Sequence, residues 1–141
     1  LKEKSVRHRV IVMVEPGRFR SPRDDHEAKM TASDATLEMF FPETAGARVF
    51  VSHTRPEPLG GLLRRLDTGS RKSRFLGFCG RGGTLDADGM LFANRSTWAH
   101  VLAAAADVTG RRALDFLTEA EFDAVQGRRA PAGVLFKGHD V

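Results

Sequence analysis

The fold of this 141-residue chain is decided by the run Arg48-Val49-Phe50-Val51-Ser52-His53. The run is short, apolar and rich in β-branched residues, which is typical of a strand buried on both faces. Similar runs at residues 9–14 and 74–78 predict two more strands of this kind, and residues 134–136 predict a last strand. Together these runs supply the expected sheet.

Two of the predicted helices begin with clear capping signals. Thr31 or Ser33 can cap a short helix that ends at Pro42. Thr118 and Glu121 have the spacing of a capping box and predict a second short helix near the C-terminus.

The longest predicted helix covers residues 97–108, with Asn94 or Ser96 as its N-cap and Gly110 at its end. Its apolar residues recur at helical spacing and form one face. They are Trp98, Val101, Leu102 and Ala105.

The remaining segments carry helix breakers. Residues 19–30 are polar and predict a loop, and Pro56 and Pro58 disfavour helix, which leaves residues 59–66 a turn or two. Strands that alternate with helices predict one α/β domain of three layers, a mostly parallel sheet with helices on both faces. The predicted sheet contains residues 10–14 and 49–51, and the residues predicted to cover it are Leu37, Phe40, Trp98 and Leu102.

The composition bounds the class of protein. With 41% hydrophobic and 28% charged residues, the chain matches globular proteins and not disordered, collagen-like or coiled-coil ones. No apolar run has the length of a membrane span, and the first residues lack a signal peptide. The single Cys79 excludes an internal disulfide and disfavours a zinc site. These features predict a cytoplasmic protein that contacts no membrane.

The net charge of +4 raises the possibility of nucleic-acid binding. However, residues 1–70 hold 12 basic and 10 acidic groups, and residues 71–141 hold 10 and 8, so no basic arm stands apart. The arginine clusters also have acidic residues close by, which favours a mixed-charge surface over a groove for phosphates. These clusters are Arg18/Arg20/Arg23, Arg64/Arg65 and Arg71/Lys72/Arg74. No nucleic-acid partner is therefore predicted.

A glycine-dense segment, residues 77–83, follows the strand predicted at residues 74–78. Arg74, Arg81 and the backbone of Gly82 and Gly83 form a possible anion-binding site at this point. The segment lacks the glycine spacing of dinucleotide-binding and P-loop motifs, and no helix is predicted to begin within it. A sharp turn at which two stretches of backbone pack closely is the favoured interpretation.

Other candidate residues do not combine into a catalytic or metal site. Asp86-Ala87-Asp88-Gly89 resembles the start of a calcium loop, but Thr97 occupies the position of the last acidic ligand, so an Asp-Gly turn is predicted. His53 ends a strand, where catalytic groups often lie. His100 is expected at the edge of a helix face, and Cys79 is expected to be a buried structural thiol.

Taken in order, Gly77-Phe78, Gly82-Gly83-Thr84, Met90 and Asn94-Arg95 resemble a segment of the C-terminal domain of phosphoketolases. Those enzymes use thiamine diphosphate and cleave ketose phosphates with inorganic phosphate to give acetyl phosphate. The resemblance covers most of residues 6–108. It implies a fold like the transketolase C-terminal domain.

The family resemblance also implies a supporting role. Thiamine diphosphate and Mg²⁺ would be held by preceding domains of a longer parent chain, which would be the partners of this one in a homo-oligomer. No catalytic, cofactor-binding or metal-binding residue carries over to this segment, so it would not catalyse the reaction alone. The sequence departs from the family pattern at residues 53–58, 84–87 and 96–98, as a divergent relative would. The alternative is a stand-alone phosphate- or nucleotide-binding module that uses residues 80–83 and nearby arginines.

Overall fold

Two parallel strands form the sheet at the centre of the chain. The computed structural model describes residues 6–136. Strand β1 (Arg48–Val51) pairs in parallel with β2 (Ser73–Leu76), so that Arg48 lies opposite Ser73 and Val51 opposite Leu76. Both strands confirm the predictions at residues 48–53 and 74–78. The described residues are a mixture of helices and a parallel strand pair, which agrees with the α/β class.

Capping signals located two helices correctly and the end of a third. Ser33 accepts a hydrogen bond from the Thr36 N–H at the start of α2 (Asp34–Phe40). The capping box at Thr118 begins α6 (Glu119–Val125). The longest helix is α5 (Trp98–Val108), and its N-cap is Thr97, so the predicted caps Asn94 and Ser96 are wrong. Gly110 ends α5 with a positive φ of 67°, as predicted.

Three helices differ from the predictions. α1 (Asp25–Ala28) interrupts the predicted loop at residues 19–30, and α4 (Ala87–Ala93) replaces the predicted Asp-Gly turn. α3 (Pro56–Leu62) contains both prolines that were expected to prevent a helix. A proline is compatible with the first turn of a helix, because the N–H groups there have no partner within the helix. The chain also has short 3₁₀ turns at Pro16–Phe19, Glu43–Ala45, Arg64–Leu66 and Ala113–Asp115.

The two faces of the strand pair contact different helices. Phe50 and Phe75 lie opposite each other, and their rings stack with centroids 4.6 Å apart. Phe50 is buried with Leu59 and Leu63 in the first core cluster. Since side chains alternate along a strand, Arg74 points to the other face, where its guanidinium pairs with Asp107 of α5.

A second core cluster is formed mainly by the C-terminal half of the described chain. Its buried members are Ala99, Leu117, Ala124 and Leu135. Trp98 donates its indole N–H to the Leu135 carbonyl at 2.9 Å but remains 45% exposed, and Phe40 is 39% exposed. Both were predicted to cover the sheet, and neither side chain is buried there. Leu37 and Leu102 do pack, against the first and the second cluster respectively.

Residues 10–14 do not form the predicted buried strand. Val10, Val12 and Val14 are exposed, whereas Met13 packs against the first core cluster. The sequence is apolar at every position of this run, so it predicted burial on both faces. Among the described residues only one face of the run packs against the protein, and no strand pairs with its edges.

The last predicted strand, at residues 134–136, is also wrong. Only an isolated bridge between Ala132 and Phe136 occurs there. Val134, Leu135 and Phe136 instead belong to the second core cluster, which explains their apolar character. None of the helices within residues 6–136 has the length and apolar character needed to cross a membrane.

Candidate functional site

A cleft of about 390 Å³ opens beside the carboxyl ends of the two strands. In α/β proteins this edge of a parallel sheet is where ligands usually bind. Apolar side chains form much of the wall, and they are Val51, Phe78, Met90 and Leu91. The polar residues of the cleft are Ser52, His53, Asn94 and Ser96.

The glycine segment enters the cleft at Gly77, where two stretches of backbone come together. A Cβ atom at Gly77 would lie 2.2 Å from the carbonyl oxygen of Thr54. The next residue, Phe78, donates its backbone N–H to the same oxygen at 3.0 Å. The predicted close packing of two stretches of backbone is therefore confirmed at Gly77, but no turn lies at this residue.

The side chain of Asn94 organises the rest of this segment. It is buried, and its Oδ1 accepts hydrogen bonds from the backbone N–H groups of Cys79 at 2.8 Å and Arg81 at 3.4 Å. Its Nδ2 donates to the carbonyl oxygens of Arg81 at 3.2 Å and Met90 at 2.9 Å. With both amide donors and the carbonyl engaged, Asn94 has little capacity left for a ligand.

The structure separates the residues of the possible anion-binding site. The Arg74 guanidinium pairs with Asp107 and donates to the Ser73 carbonyl at 2.8 Å. Asp107 lies in the last turn of α5, about 14 Å along the helix axis from its first turn. The glycine segment contacts Asn94 and Ser96, which precede that first turn. Arg81 remains exposed beside Gly82 and Gly83, so only these three of the four residues lie together.

A carboxylate of the chain itself caps the helix that follows the glycine segment. Asp86 is the N-cap of α4, and its carboxylate accepts the Gly89 N–H at 2.7 Å. The predicted Asp-Gly turn is corrected to a helix start. Because a carboxylate already occupies the position where a bound phosphate would sit, this helix end is unsuited to phosphate.

Two single residues differ from their predicted settings. Cys79 is exposed, so the prediction of a buried thiol is wrong, and its Sγ donates to the Gly77 carbonyl at 3.4 Å.

His100 is buried rather than at the edge of a helix face, and its Nδ1 lies 2.7 Å from the Thr97 hydroxyl. Burial lowers the pKa of His100, and the positive charge of Arg95 lowers it further. His53 lies exposed at the rim of the cleft.

The N-terminal arginine cluster is paired with acidic residues. Arg23 donates its Nε to Glu27 at 2.7 Å, and Arg20 lies 3.7 Å from the same carboxylate. The side-chain and then the backbone hydrogen bonds from Arg23 lower the pKa of Glu27 to about 2. Arg18 pairs with Glu15 in the same way. These contacts leave less free positive charge for a phosphate backbone than the arginine count suggests.

A second cleft, of about 530 Å³, lies beside the amino ends of the strands and contains charges of both signs. Arg48 donates to the carbonyl oxygens of Leu66 at 2.8 Å and Phe41 at 2.7 Å. Burial lowers the pKa of Arg48, and the Glu38 carboxylate opposes this shift. Arg65 pairs with Asp34 at 2.6 Å. The two arginines of this cleft thus hold the fold together.

Within residues 6–136, no cluster of His, Cys, Asp or Glu side chains is arranged to hold a metal ion. Neither a family model, nor a curated protein, nor a solved structure matches this chain.

Proposed function

We propose that this chain is the supporting C-terminal α/β domain of a divergent phosphoketolase-like enzyme, and that it does not catalyse a reaction alone. The parent would use thiamine diphosphate to cleave ketose phosphates with inorganic phosphate in the cytoplasm. The preceding domains of that parent would hold the cofactor and Mg²⁺ and would assemble with this domain into a homo-oligomer.

The observation that carries this proposal is the set of hydrogen bonds made by Asn94. The resemblance depends on Gly77-Phe78, Gly82-Gly83-Thr84, Met90 and Asn94-Arg95, so it joins the glycine segment to a separate piece of sequence at Asn94. The Asn94 side chain binds the backbone of Cys79 and Arg81, so these two pieces form one structural unit. A buried amide that is committed to the backbone serves packing rather than substrate binding.

The faces of the strand pair support the finer fold that we propose, three layers like those of the transketolase C-terminal domain. Phe75 contacts the cluster that includes Leu59 of α3, and Arg74 reaches α5 from the opposite face. Helices therefore lie on both sides of β2. The parallel pairing of β1 and β2 across an intervening helix is the unit from which such sheets are built.

The cleft at the carboxyl ends of the strands fits a packing partner better than a polar substrate. Val51, Phe78 and Leu91 are 50%, 40% and 36% exposed. The Ser52 hydroxyl bonds to the Thr54 hydroxyl at 2.8 Å, and the Asn94 amide is fully engaged. Exposed apolar side chains with satisfied polar neighbours are typical of surfaces that another domain covers. We propose that the preceding domains dock here.

The second candidate is a stand-alone module that binds phosphate or nucleotides at residues 80–83. It is favoured by one observation, that the N–H groups of Gly82 and Gly83 donate to no acceptor within residues 6–136. Arg81 lies exposed beside them. This site would act without Arg74, which is committed to Asp107.

Activity measurements on two proteins test the first proposal. The complete open reading frame that contains this chain should release acetyl phosphate from fructose 6-phosphate and inorganic phosphate when thiamine diphosphate and Mg²⁺ are added. The 141-residue chain alone should release none. A reading frame that encodes no thiamine-diphosphate-binding domain upstream of this chain would contradict the proposal.

Calorimetry on the 141-residue chain separates the two candidates. The supporting domain should show no tight binding of phosphate, sugar phosphates or nucleotides. The binding module should show saturable heat that disappears in Arg81→Ala and persists in Arg74→Ala, which serves as the matched control because its partner is Asp107.

A further inference from the structure

We propose that residues 9–15, the valine segment, pair antiparallel with the valine segment of a second copy of this chain. The segment has the sequence Arg9-Val10-Ile11-Val12-Met13-Val14-Glu15. It carries the most exposed large apolar side chains among the described residues, since Val10, Val12 and Val14 are 80%, 83% and 89% exposed.

The valine segment has the side-chain alternation of a β-strand. Ile11 and Met13 are half-buried, and Met13 packs against the first core cluster. The three valines between and beside them point to solvent. A period of two residues is typical of a β-strand, and the segment, which has a bend at Val14, would become a strand on pairing.

The backbone of the valine segment is also open. No backbone hydrogen bond joins residues 9–14 to any other part of residues 6–136. A stretch of chain with free N–H and C=O groups is a template on which another strand can pair. The partner that fits is therefore another extended segment with apolar side chains at alternate positions.

The sequence of the valine segment makes a second copy of itself the best match. Antiparallel pairing centred on Val12 places Val10 opposite Val14 and Ile11 opposite Met13, so every apolar side chain meets another one. Opposed apolar and β-branched pairs stabilise neighbouring strands. A contact of this kind is symmetric and closes at two copies.

The charges at the two ends select the antiparallel direction and the register. In this register Arg9 lies opposite Glu15 of the second copy at both ends of the pair. A parallel pair would instead place Arg9 beside Arg9 and Glu15 beside Glu15. Arg9 also donates to the Met39 carbonyl at 2.7 Å, and Glu15 pairs with Arg18. A guanidinium has five donors and a carboxylate about four acceptor positions, so both groups can add a partner.

Disulfide trapping tests the register directly. The background variant is Cys79→Ser, because Cys79 is exposed and would cross-link by itself. In that background Val12→Cys should form a disulfide-linked dimer on mild oxidation, since position 12 faces position 12 across the symmetry axis. Val14→Cys alone is the matched control and should form no disulfide-linked dimer, because position 14 faces position 10 in this register, whereas a mixture of Val10→Cys and Val14→Cys chains should cross-link.

Charge reversal gives an independent measurement by sedimentation equilibrium of the 141-residue chain. Arg9→Glu or Glu15→Arg alone should raise the dimer dissociation constant about tenfold, because each creates two like-charge pairs. The double variant should restore wild-type affinity. A chain that stays monomeric, or a Val14→Cys variant that cross-links as fast as Val12→Cys, would overturn the proposal. Hydrogen-exchange protection of residues 10–14 in a monomer would overturn it too, by showing pairing within one chain.

Discussion

The Oδ1 atom of Asn94 accepts the backbone N–H of Cys79 at 2.8 Å, across a separation of 15 residues. Asn94 caps the end of α4, and Cys79 lies just beyond β2. One buried side chain thus connects the end of a helix to the glycine segment at the mouth of the cleft.

Asn94→Ala should destabilise the chain by about 1–3 kcal/mol, because it leaves the backbone N–H of Cys79 and the carbonyl of Arg81 without their partner. Urea unfolding followed by Trp98 fluorescence measures the loss. Ser96→Ala is the matched control, since its hydroxyl contacts are long, at 3.2 and 3.5 Å. The control should stay within about 0.5 kcal/mol of wild type. Equal losses in both variants would show that Asn94 has no special role.

Gly77→Ala should destabilise the chain by about 1–3 kcal/mol, because the added methyl group would lie 2.2 Å from the Thr54 carbonyl oxygen and would force β1 and β2 apart at their ends. Gly83→Ala is the control within the same segment, since a methyl group added there would have no atom within 4 Å and the φ of Gly83 is not positive. Thermal unfolding compares the two. A stable Gly77→Ala protein would contradict the close approach of the two stretches of backbone.

Arg95→Gly should stabilise the chain by about 0.5–1 kcal/mol, because Arg95 has a φ of 56° and is the one non-glycine residue with positive φ among the described residues. That conformation is strained for a side-chain-bearing residue and free for glycine. Arg95→Lys keeps both the strain and the charge, so it should match wild type. The denaturant midpoints of the two variants and of wild type measure these differences in stability. A destabilised glycine variant would mean that the Arg95 side chain makes a compensating contact.

His100 should make the stability of the chain depend on pH near neutrality. Its pKa is lowered in the folded state by burial and by Arg95, so below about pH 6.5 the unfolded chain binds more protons than the folded one. Stability is therefore complete above that pH and falls as the pH drops towards the lowered folded value. His100→Gln should flatten this slope.

Phe92→Leu is the control for His100→Gln, because the Phe92 ring packs edge-on against the imidazole with centroids 5.6 Å apart. It disturbs the same packing without removing a titratable group, so it should lower stability at every pH and keep the slope. Unfolding free energies at several pH values between about 5.5 and 7.5 provide the measurement. The window lies well above the folded pKa of Glu27, about 2.

Local sequence signals predicted correctly those features that depend on residues close together in the chain. The Thr118–Glu121 capping box, the Ser33 cap and the end of α5 at Gly110 follow from contacts over three or four residues. The two strands of the sheet were predicted because each lies in a short apolar run that is bounded by polar or glycine-rich segments. The helix α4 was missed because its cap, Asp86, also suits a turn.

The amino-acid sequence by itself determined the α/β class, the parallel strand pair, the caps at Ser33 and Thr118 and the close backbone approach at Gly77. Only the tertiary structure decided that residues 10–14 have one uncovered face, that Cys79 is exposed and that Arg74 turns to Asp107 instead of the glycine segment. The physical reason is range: propensities and caps act between neighbours in the chain, whereas burial and the choice of an ionic partner depend on which distant segments the fold brings together.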